Sequence, residues 1–533
     1  MKALLLGGIK LDLGETEDLL FAKVSSALQI KADDIENVEI VRKSLDARRN
    51  KPPQFVYVLK IVVDKKINLQ REFDKGVQLF ETENIQQIQF RPPASSPRLP
   101  VIIIGSGPAG LFASYFLALS GIPSLILERG TPIEQRVKDV DQFWRTGSLN
   151  NRSNVFFGEG GAGTFSDGKL TARSKNPCRQ WVKKILVDMG ASPDILIDAK
   201  PHIGTDKLRQ IIVHLRNKLI HMGCRIEFNA QVTDFVIAHE KIKAIVINDK
   251  EEIKTDHLIL AIGQSADDTY AKLFERGVAM QAKPFAMGLR IEHPQELINA
   301  IQYGKWRHHP QLPPAEYFVK ASLPEWNRSV YTFCMCPGGS VIGCSAFPGT
   351  IITNGMSNAR RSGQYANSAI VVNIRTDDFM TDENPLAGLT FRKVWERKAF
   401  MEGGNNFHAP AQKTVDFLHG KTSDVAAETS FLPGVKSANL QNVLPEFAVN
   451  ALKSGIREFD KNMHGLFIEQ SLLIGVETRT SSPVRICRGK DGQSVNIKGI
   501  YPCGEGAGYA GGIISSALDG ISAAQNLISH LAV

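Results

Sequence analysis

The fold of this chain is decided by the stretch V-I-I-I-G-S-G-P-A-G, residues 101–110. Its run of four β-branched residues predicts a strand that is buried on both faces of a parallel sheet. In the G-x-G-x-x-G turn that follows, Gly105 allows the tight turn, Gly107 lets the backbone approach a pyrophosphate, and Gly110 lets the next helix pack closely on the strand. The N–H groups that open that helix would face the phosphates. The stretch therefore predicts a dinucleotide-binding turn.

The sequence after this turn completes the expected unit. An apolar helical segment, residues 111–120, is followed by Gly121, which favours the end of a helix. A second predicted strand, residues 124–127, ends in Glu128, whose carboxylate can accept hydrogen bonds from ribose hydroxyls. Strand, turn, helix, strand and acid stand in the order of a dinucleotide-binding domain. The motif does not distinguish FAD from NAD, because both carry the same ADP half.

The composition is that of a globular protein with several domains. The chain has 533 residues, of which 43% are hydrophobic and 22% charged, and its length predicts roughly three or four domains. The formal charge of +8 is small for this length, so it permits anionic cofactors and does not indicate nucleic-acid binding. Seven cysteines argue against a disulfide scaffold. Since no apolar run reaches about 18 residues and no signal-peptide pattern is present, we expect a cytoplasmic protein.

Composition also divides the chain into segments. A stretch rich in Pro and Ser, R-P-P-A-S-S-P-R-L-P, is typical of a linker. After it, an α/β pattern gives way to a region rich in Pro, Asn and aromatic residues, and returns near the end of the chain. We therefore predict a small N-terminal α/β domain (1–90), a linker (91–100), the first part of a nucleotide-binding domain (101–280), an inserted substrate or cap domain (281–482) and the C-terminal part of the nucleotide-binding domain (483–533).

Two further glycine clusters follow the first. Residues 157–170, F-G-E-G-G-A-G-T-F-S-D-G-K-L, come after the first strand–helix–strand unit. Residues 504–512, G-E-G-A-G-Y-A-G-G, stand between a predicted strand and a long predicted helix that begins at Ile513. Between these clusters, a buried strand ends in A-I-G at residues 261–263. Clustered glycines indicate backbone held close to a ligand.

Together these blocks resemble the glutathione-reductase-type FAD superfamily, in which a substrate domain interrupts the nucleotide domain. The resemblance implies FAD as cofactor and an α/β fold: an FAD-binding, Rossmann-like, three-layer domain interrupted by a mixed α+β substrate domain, with the small N-terminal α/β domain added. It also implies that Gly504 and Glu505 contact the ribityl chain, with Glu in place of the superfamily's Asp, and that Val232 contacts the adenine. The helix that begins at Ile513 would direct its positive end at the flavin pyrimidine edge.

Nearly the whole chain is also similar to a family of bacterial FAD-dependent, NAD-utilising dehydrogenases whose substrate is unassigned. The segments that carry this similarity are residues 157–170, G-L-R-I-E-H-P-Q at 288–295 and E-T-R-T-S-S-P-V at 477–484. From the motifs and the resemblance together, the predicted cofactor-binding residues are Gly105, Ser106, Gly107, Pro108, Ala109, Gly110, Glu128, Arg129, Gly161, Gly163, Thr164, Val232, Ala261, Gly263, Gly504, Glu505, Gly511, Gly512 and Ile513. No metal site is predicted.

Two absences from the sequence narrow the expected activity. No C-x4-C follows the first glycine cluster, so the redox-active disulfide of the disulfide reductases is not expected there. No second G-x-G-x-x-G is present, so a nicotinamide cofactor would dock transiently at the flavin rather than on a domain of its own. The sequence therefore predicts an FAD-dependent oxidoreductase that transfers hydride between flavin and a small organic substrate, with NAD(P)H as a transient electron donor.

The sequence does not assign a catalytic residue. Cys503, Tyr509, His293 and His408 are candidates for a proton donor, and a structural role competes with the catalytic one for each of them. Cys503 directly precedes the third glycine cluster and Tyr509 lies inside it, whereas the two histidines stand in the predicted inserted domain.

Three cysteines lie close together in the predicted inserted domain. Cys334 and Cys336 are separated by one residue, and Cys344 follows a short distance later. This spacing is not that of a zinc site. We interpret all three as buried strand cysteines in a reducing compartment.

Two other functions remain open. Residues 504–520 resemble the corresponding segment of some flavin-dependent RNA modifiers, although the predicted N-terminal domain is neutral and has no basic stripe interleaved with aromatic residues. The same residues resemble prenyl reductases, so an isoprenoid or other lipid is the second alternative, although no amphipathic basic helix supports membrane docking. The expected partner is a small-molecule substrate. Nucleic acid and membrane are not expected, and the oligomeric state is not predicted.

Overall fold

The computed structural model describes residues 2–48, 51–63, 78–81, 90, 97–172, 176–381, 383–422, 428–463, 465 and 467–531, so most of the predicted linker lies outside the described residues. Its strands, in chain order, are β1 (Lys2–Asp12), β2 (Ile35–Asp46), β3 (Gln54–Val63), β4 (Gln78–Glu81), β5 (Val101–Ile104), β6 (Ser124–Leu127), β7 (Arg225–Glu227), β8 (Val232–Ala238), β9 (Lys241–Ile247), β10 (Glu251–Lys254), β11 (Leu258–Leu260), β12 (Met280–Ala282), β13 (Phe285–Pro294), β14 (Lys320–Leu323), β15 (Arg328–Gly343), β16 (Thr353–Met356), β17 (Tyr365–Ile374), β18 (Ala409–Lys413), β19 (Val435–Ser437), β20 (Leu472–Glu477), β21 (Val484–Ile486) and β22 (Ile500–Pro502). Its α-helices are α1 (Leu20–Leu28), α2 (Pro108–Leu119), α3 (Ile133–Thr146), α4 (Cys178–Asp188), α5 (Thr205–His221), α6 (Asp267–Glu275), α7 (Gln295–Tyr303), α8 (Ala387–Glu402), α9 (Thr414–His419), α10 (Glu446–Asn462) and α11 (Ile513–Leu531). Among these described helices, none combines the length and the apolar character that crossing a bilayer requires.

Five strands form a parallel sheet in the order β22-β11-β5-β6-β7. All four residues of β5 are buried, as expected for the centre of a parallel sheet. Side chains of α2, α4, α5 and α11 pack on one face, and the meander β10-β9-β8 with α6 packs on the other. This arrangement confirms the predicted α/β fold with a three-layer, Rossmann-like domain. Because β22 comes from the end of the chain, a long intervening segment separates it in sequence from the other strands of this sheet.

The chain leaves and re-enters this domain through a two-stranded ribbon. β12 and β21 pair antiparallel, with Met280 opposite Ile486. Between them lies a mixed sheet, here called the inserted sheet, of order β14-β15-β17-β13-β20-β18-β19, with β16 paired to β15. The buried face of α10, which includes Ala448, Leu452 and Ile456, packs on this sheet. The segment between β12 and β21 is therefore a mixed α+β unit with its own core.

The N-terminal residues form a separate small sheet, β2-β3-β1-β4, in which every pair is antiparallel. Leu20, Val24 and Leu28 recur every four residues on one face of α1, and this face is buried against the sheet. Backbone hydrogen bonds attach β2 to the nucleotide-binding domain. Lys43 N–H donates to the carbonyl of Ile197 at 2.9 Å, and Ala199 N–H donates to the carbonyl of Lys43 at 2.8 Å.

Candidate cofactor-binding cleft

A deep cleft opens where the carboxyl ends of the parallel strands face the inserted sheet. It encloses about 1400 Å³, including the solvent at its mouth. Open α/β sheets bind their ligands at this edge. The predicted cofactor-binding residues that line the cleft are Gly105, Gly107, Pro108, Ala109, Glu128, Gly161, Gly163, Ala261, Gly263, Gly504, Glu505, Gly511, Gly512 and Ile513. The three glycine clusters, which are far apart in the chain, thus meet at one cavity.

The first cluster forms a turn that only glycine can make. Gly105 has φ +101, and a Cβ atom there would lie 2.4 Å from the carbonyl oxygen of Ala261. A Cβ atom on Gly110 would lie 1.9 Å from the carbonyl oxygen of Gly105. The turn therefore brings the start of α2 against the end of β5. Since Gly107 and Pro108 line the cleft, the unpaired N–H groups of the first helical turn are available to an anion.

The second cluster lies directly against the first and the third. Gly161 has φ +64, and a Cβ atom on it would lie 3.1 Å from the Cα of Gly107. A Cβ atom on Gly163 would lie 3.3 Å from Cγ1 of Ile513. The first two clusters therefore meet as backbone without side chains, the kind of surface that a dinucleotide can approach closely, and the second cluster also packs on the side chain of Ile513.

One buried arginine holds the loop that leads into the second cluster. Arg136 on α3 is fully buried and donates from Nε to the carbonyl of Asn154 and from Nη2 to that of Val155, both at 2.9 Å. Its Nη1 donates to the carbonyls of Glu159 and Gly161 at 2.5 and 3.0 Å. Burial lowers the pKa of Arg136 to about 10, so the guanidinium stays charged at neutral pH. Sequence reasoning missed this residue, because its partners lie in a later loop and no local pattern marks it.

Glu128, the predicted ribose acceptor, already accepts four hydrogen bonds from the protein. Its Oε2 receives them from the backbone N–H and the hydroxyl of Ser106, at 3.0 and 2.7 Å. Its Oε1 receives them from the N–H groups of Gly130 and Gly158, at 2.9 and 3.0 Å. Each carboxylate oxygen thus has two donors. Glu128 therefore links the first cluster to the second. A ribose hydroxyl that donates to Glu128 would have to share a carboxylate oxygen with two protein donors.

The third cluster is fixed by a carboxylate on the following helix. Gly504 N–H donates to Oδ2 of Asp519 on α11 at 2.8 Å. The neighbouring Glu505 lines the cleft, and its Oε1 accepts a hydrogen bond from Gln264 Nε2 at 2.8 Å. Burial raises the pKa of Glu505 to about 7, even though Lys283 and Gln264 lower it. Glu505, for which the resemblance implies a contact with the ribityl chain, is therefore a half-buried carboxyl at the cleft wall.

The backbone that precedes α11 opens on empty space. A Cβ atom built on Gly511 or Gly512 would meet no atom within 4 Å in the described structure. Both glycines and Ile513, the first residue of α11, line the cleft. The positive end of this helix therefore faces the cavity, where it would stabilise negative charge on a ligand.

Five predicted residues lie outside the lining. Ser106 and Gly110 are buried in the first turn, where they shape it from behind. Thr164 is fully buried beneath the second cluster, and its hydroxyl accepts a hydrogen bond from a buried guanidinium. Arg129 is held by an ion pair of 3.0 Å with a carboxylate on α6. Val232, at the start of β8, packs in the apolar core on one face of the parallel sheet. These residues support the cleft rather than line it.

The inserted sheet and its flanking loops supply the opposite wall, as expected for a substrate pocket between the nucleotide-binding and inserted domains, but sequence reasoning did not name the residues of this wall as site residues. Glu477 lines this wall and pairs with the fully buried Arg290, whose Nη1 lies 3.0 Å from Oε2. Burial raises the pKa of Glu477 to about 7. Arg479 donates from Nε to Glu396 Oε1 at 3.0 Å, and its Nη1 has no hydrogen-bond partner among the described residues. The segment 477–484 marked a family resemblance, and the structure places its first residues in the cleft.

The second glycine cluster also contributes two charged side chains. Asp167 is buried and accepts hydrogen bonds on Oδ1 from Arg361 Nε at 2.9 Å and from the hydroxyl of Ser357 at 2.7 Å. The Lys169 ammonium pairs with the same carboxylate and lines the cleft. Burial would raise the pKa of Asp167, but Lys169 and Arg361 hold it well below its usual range. The loop is thereby joined to the inserted unit, and a cation faces the cavity.

Of the four candidates for a proton donor, the described structure brings Cys503 to the cleft lining. Burial raises the pKa of the Cys503 thiol, so this group stays protonated. Tyr509 lies outside the lining, with its ring against a guanidinium at 3.8 Å. His293 is fully buried in the inserted unit, where Nε2 donates to a backbone carbonyl at 2.9 Å. His408 also lies outside the lining. The geometry therefore favours a structural role for three of the four candidates.

The fold and the glycine-lined cleft define this chain as an FAD-dependent oxidoreductase. Family models agree: one described as "FAD binding domain" matches residues 98–161, one described as "FAD-dependent protein, C-terminal domain-like" matches residues 284–480, and a domain of unknown function matches residues 8–63. An "Uncharacterized protein" from Clostridium beijerinckii is 40% identical over 529 residues, which are 99% of this chain and 98% of that protein. The chain belongs to the same FAD-dependent oxidoreductase family.

Other similar proteins are matched over shorter stretches or at lower identity. YgfK of Escherichia coli is 37% identical over 76 residues, 14% of this chain and 6% of that protein. Two similar solved structures are CtdE in complex with FAD (11% identity, 80% of this chain and 84% of that one, TM-score 0.34) and glycine oxidase from Bacillus cereus (11% identity, 81% and 95%, TM-score 0.30).

Proposed function

We propose that this enzyme is a dehydrogenase or reductase that transfers hydride between FAD held in the cleft and a small organic substrate bound beside it. The observation that carries the proposal is that one cavity is lined both by the three glycine clusters and by charged side chains on the opposite wall. A substrate in this cavity would meet the flavin, the ammonium of Lys169 from the second glycine cluster, and Glu477 and Arg479 from the opposite wall.

The glycine wall fits FAD. Gly107, Gly161, Gly511 and Gly512 leave the space that side chains would fill, and the N-terminus of α2 offers N–H groups to a pyrophosphate. We assign the N-terminus of α11 to the pyrimidine edge of the flavin, as in the glutathione-reductase-type superfamily. When bound, FAD supplies the two-electron chemistry of the reaction. We infer that the predicted residues that line the cleft are the cofactor contacts.

Two cations that line the cleft, Lys169 and Arg479, are available to the substrate. Burial lowers the pKa of Lys169, but the neighbouring cysteines and Asp167 more than reverse this, so the ammonium keeps its proton at Nζ. Arg479 has a donor at Nη1 without a hydrogen-bond partner among the described residues, and this atom lies 4.0 Å from Oδ1 of Asp267. Two such groups favour a substrate with an electron-rich atom, such as a carbonyl or carboxylate oxygen, close to the bond that is oxidised or reduced.

We further propose that NAD(P)H docks transiently at the mouth of the cleft, because the sequence contains no second G-x-G-x-x-G to bind it separately. The protein would work in the cytoplasm, where nicotinamide cofactors are available and where free thiols persist. All seven cysteines are free thiols in the structure, which supports this location.

Anaerobic reduction of the FAD-loaded protein tests the proposal. NADH and NADPH are added separately, and the flavin absorbance is followed, with free FAD as the control. We expect at least one of the two nucleotides to bleach the bound flavin faster than it bleaches free FAD. If dithionite bleaches the bound flavin and neither nucleotide does, nicotinamide is not the electron donor.

A further inference from the structure

Two cysteines of β15 lie at the wall of the cofactor cleft. Cys334 lines the cleft, and Cys336 is fully buried behind it. Cys336 Sγ donates to the carbonyl oxygen of Cys334 at 3.3 Å, and the Cys336 thiol is near enough to shift the pKa of Cys334. The interpretation of both as buried strand cysteines is therefore wrong for Cys334, whose thiol is at the cavity wall, whereas Cys336 is buried behind it.

The backbone at Cys334 is distorted in a way that regular strands avoid. The pairing of β15 with β17 shifts register between Phe333 and Cys336. Cys334 has φ +48, a left-handed conformation that a side chain with a Cβ atom rarely adopts. Bulges of this kind re-aim a side chain next to an active site, and strained φ values concentrate at functional positions. A cysteine with only a structural role would not require this register shift and this left-handed conformation.

Two cations surround the pair. Arg290 Nη2 donates to the carbonyl of Cys334 at 2.7 Å and lies 3.5 Å from Cys336 Sγ. The Lys169 ammonium donates to the carbonyl of Met335, between the two cysteines. The hydrogen bond from Cys336 lowers the pKa of Cys334, and Lys169 and Arg290 lower it further, although burial opposes them. A thiolate at Cys334 is therefore stabilised from three sides.

The surroundings of the Cys334 thiol differ from those of Cys503, which also lines the cleft. Burial raises the pKa of the Cys503 thiol. Glu505 also lies near Cys334 and accepts a hydrogen bond from Gln264. Asp167 and Glu477 are engaged by arginines: Asp167 by Arg361, and Glu477 by the guanidinium that also contacts the pair. Both carboxylates therefore oppose the thiolate less than free carboxylates would.

We propose that Cys334 and Cys336 form a redox-active dithiol pair, and that the substrate of the enzyme is a small disulfide. This inference rests on the proposed function, in which FAD supplies the electrons. It places the pair between the flavin and the substrate, so that the hydride goes to the pair and not to the substrate itself. Cys334, in the cleft, is the attacking thiolate, and Cys336, behind it, is the resolving thiol. The pair comes from the inserted sheet, and not from the segment after the first glycine cluster in which the C-x4-C of the disulfide reductases would be expected.

The reaction balances as two thiol–disulfide exchanges. Cys334 thiolate attacks one sulfur of a substrate R–S–S–R, so that a mixed disulfide forms and RS⁻ leaves. Cys336 then attacks Cys334 Sγ, the bond from Cys334 to the substrate breaks, and the second sulfur leaves with the Cys336 proton as RSH. The substrate has gained two electrons and the pair has lost two. A hydride equivalent, delivered from NAD(P)H through FAD, restores one thiolate and one thiol.

The test measures the thiols directly on the FAD-loaded protein, and not only its activity. The protein is equilibrated anaerobically with mixtures of reduced and oxidised glutathione, its free thiols are alkylated, and the peptides are identified by mass spectrometry. We expect a disulfide between Cys334 and Cys336 that Cys336→Ser or Cys336→Ala abolishes and that the control Cys487→Ser retains. A wild-type pair that keeps two free thiols in every mixture would overturn the proposal.

A second readout follows the rate of alkylation of Cys334 by iodoacetamide in the reduced protein. We expect Cys334 to react at least tenfold faster at pH 7 than the half-buried Cys487, and Lys169→Gln to slow it. Equal rates at both cysteines would contradict a stabilised thiolate. The flavin content is measured on the same samples. A flavin-loaded protein whose thiols never pair refutes the dithiol pair alone, whereas a protein that binds no flavin refutes the proposed function on which it rests.

Discussion

Gly107 and Gly161 lie directly against each other at the wall of the cleft, so closely that a Cβ atom on Gly161 would lie 3.1 Å from the Cα of Gly107. The first belongs to the turn before α2 and the second to the loop that Arg136 holds. Backbone without side chains, contributed by both loops, therefore bounds the place where we propose that the pyrophosphate of FAD lies.

Gly107→Val should abolish tight FAD binding without unfolding the protein. Gly107 has φ −75 and ψ −178, which any residue can adopt, and a Cβ atom there would meet only the Cα of Gly161 at 3.8 Å. The valine methyl groups would enter the cleft, so we expect the Kd for FAD to rise at least tenfold in a fluorescence titration. Gly107→Ala is the matched control, with a smaller loss. Wild-type affinity in the valine variant would place the pyrophosphate elsewhere.

Gly110→Ala should destabilise the fold itself. Its Cβ atom would lie 1.9 Å from the carbonyl oxygen of Gly105, so helix α2 would have to move away from β5. Overpacking of this kind costs typically about 1–3 kcal/mol in the free energy of unfolding. Urea denaturation measures it, and Gly107→Ala in the same turn serves as the comparison. Equal stability of the two variants would mean that the helix is not packed as described.

Arg136→Met should destabilise the protein and lower its FAD content. The substitution leaves the buried carbonyls that Arg136 bonds without donors, and removing a buried charged partner costs roughly 3–5 kcal/mol. Arg136→Lys should recover only part of the loss, because an ammonium cannot reproduce the guanidinium fork. The exposed Arg145 lies on the same helix, and Arg145→Met is expected to leave both stability and flavin content unchanged. If Arg136→Met behaves like this control, the loop is held by other contacts.

His293 should make the protein less stable in acid. Burial lowers its pKa to about 4 from an ordinary value of 6.5, so between these pH values the unfolded chain binds a proton that the folded protein does not. Its stabilising contribution is complete above pH 6.5 and falls by about 3 kcal/mol as the pH drops to 4. His293→Gln should remove this dependence, and His221→Gln, at an exposed position, should not. Denaturation at pH 7 and pH 4.5 compares them, and an unchanged slope in His293→Gln would contradict the assignment.

The sequence predicted the parts of this molecule that are encoded locally. The strand, turn and helix around residues 101–119 follow from hydrophobic runs and glycine spacing, which act over a few neighbouring residues. The return of the chain to the first sheet followed from the pattern near Ile513. Both features depend on periodicity and turn chemistry, which a single sequence displays directly.

The parts that sequence reasoning missed depend on contacts between distant segments. Arg136 matters because a later loop wraps around it, and Cys334 faces the cleft because a register shift in β15 turns it there. Glu128 has the predicted position, but its hydrogen bonds to the loop near Gly158 could not be read from its own neighbourhood. In each case the burial and the partners are set by the tertiary structure.

The most direct test of the whole account is the flavin content of the purified protein. The protein is incubated with excess FAD, desalted and denatured, and the flavin released is quantified per chain and identified as FAD or FMN. The account predicts one FAD per chain for the wild-type protein and almost none for Gly107→Val. A folded, colourless wild-type protein that takes up no FAD would contradict it.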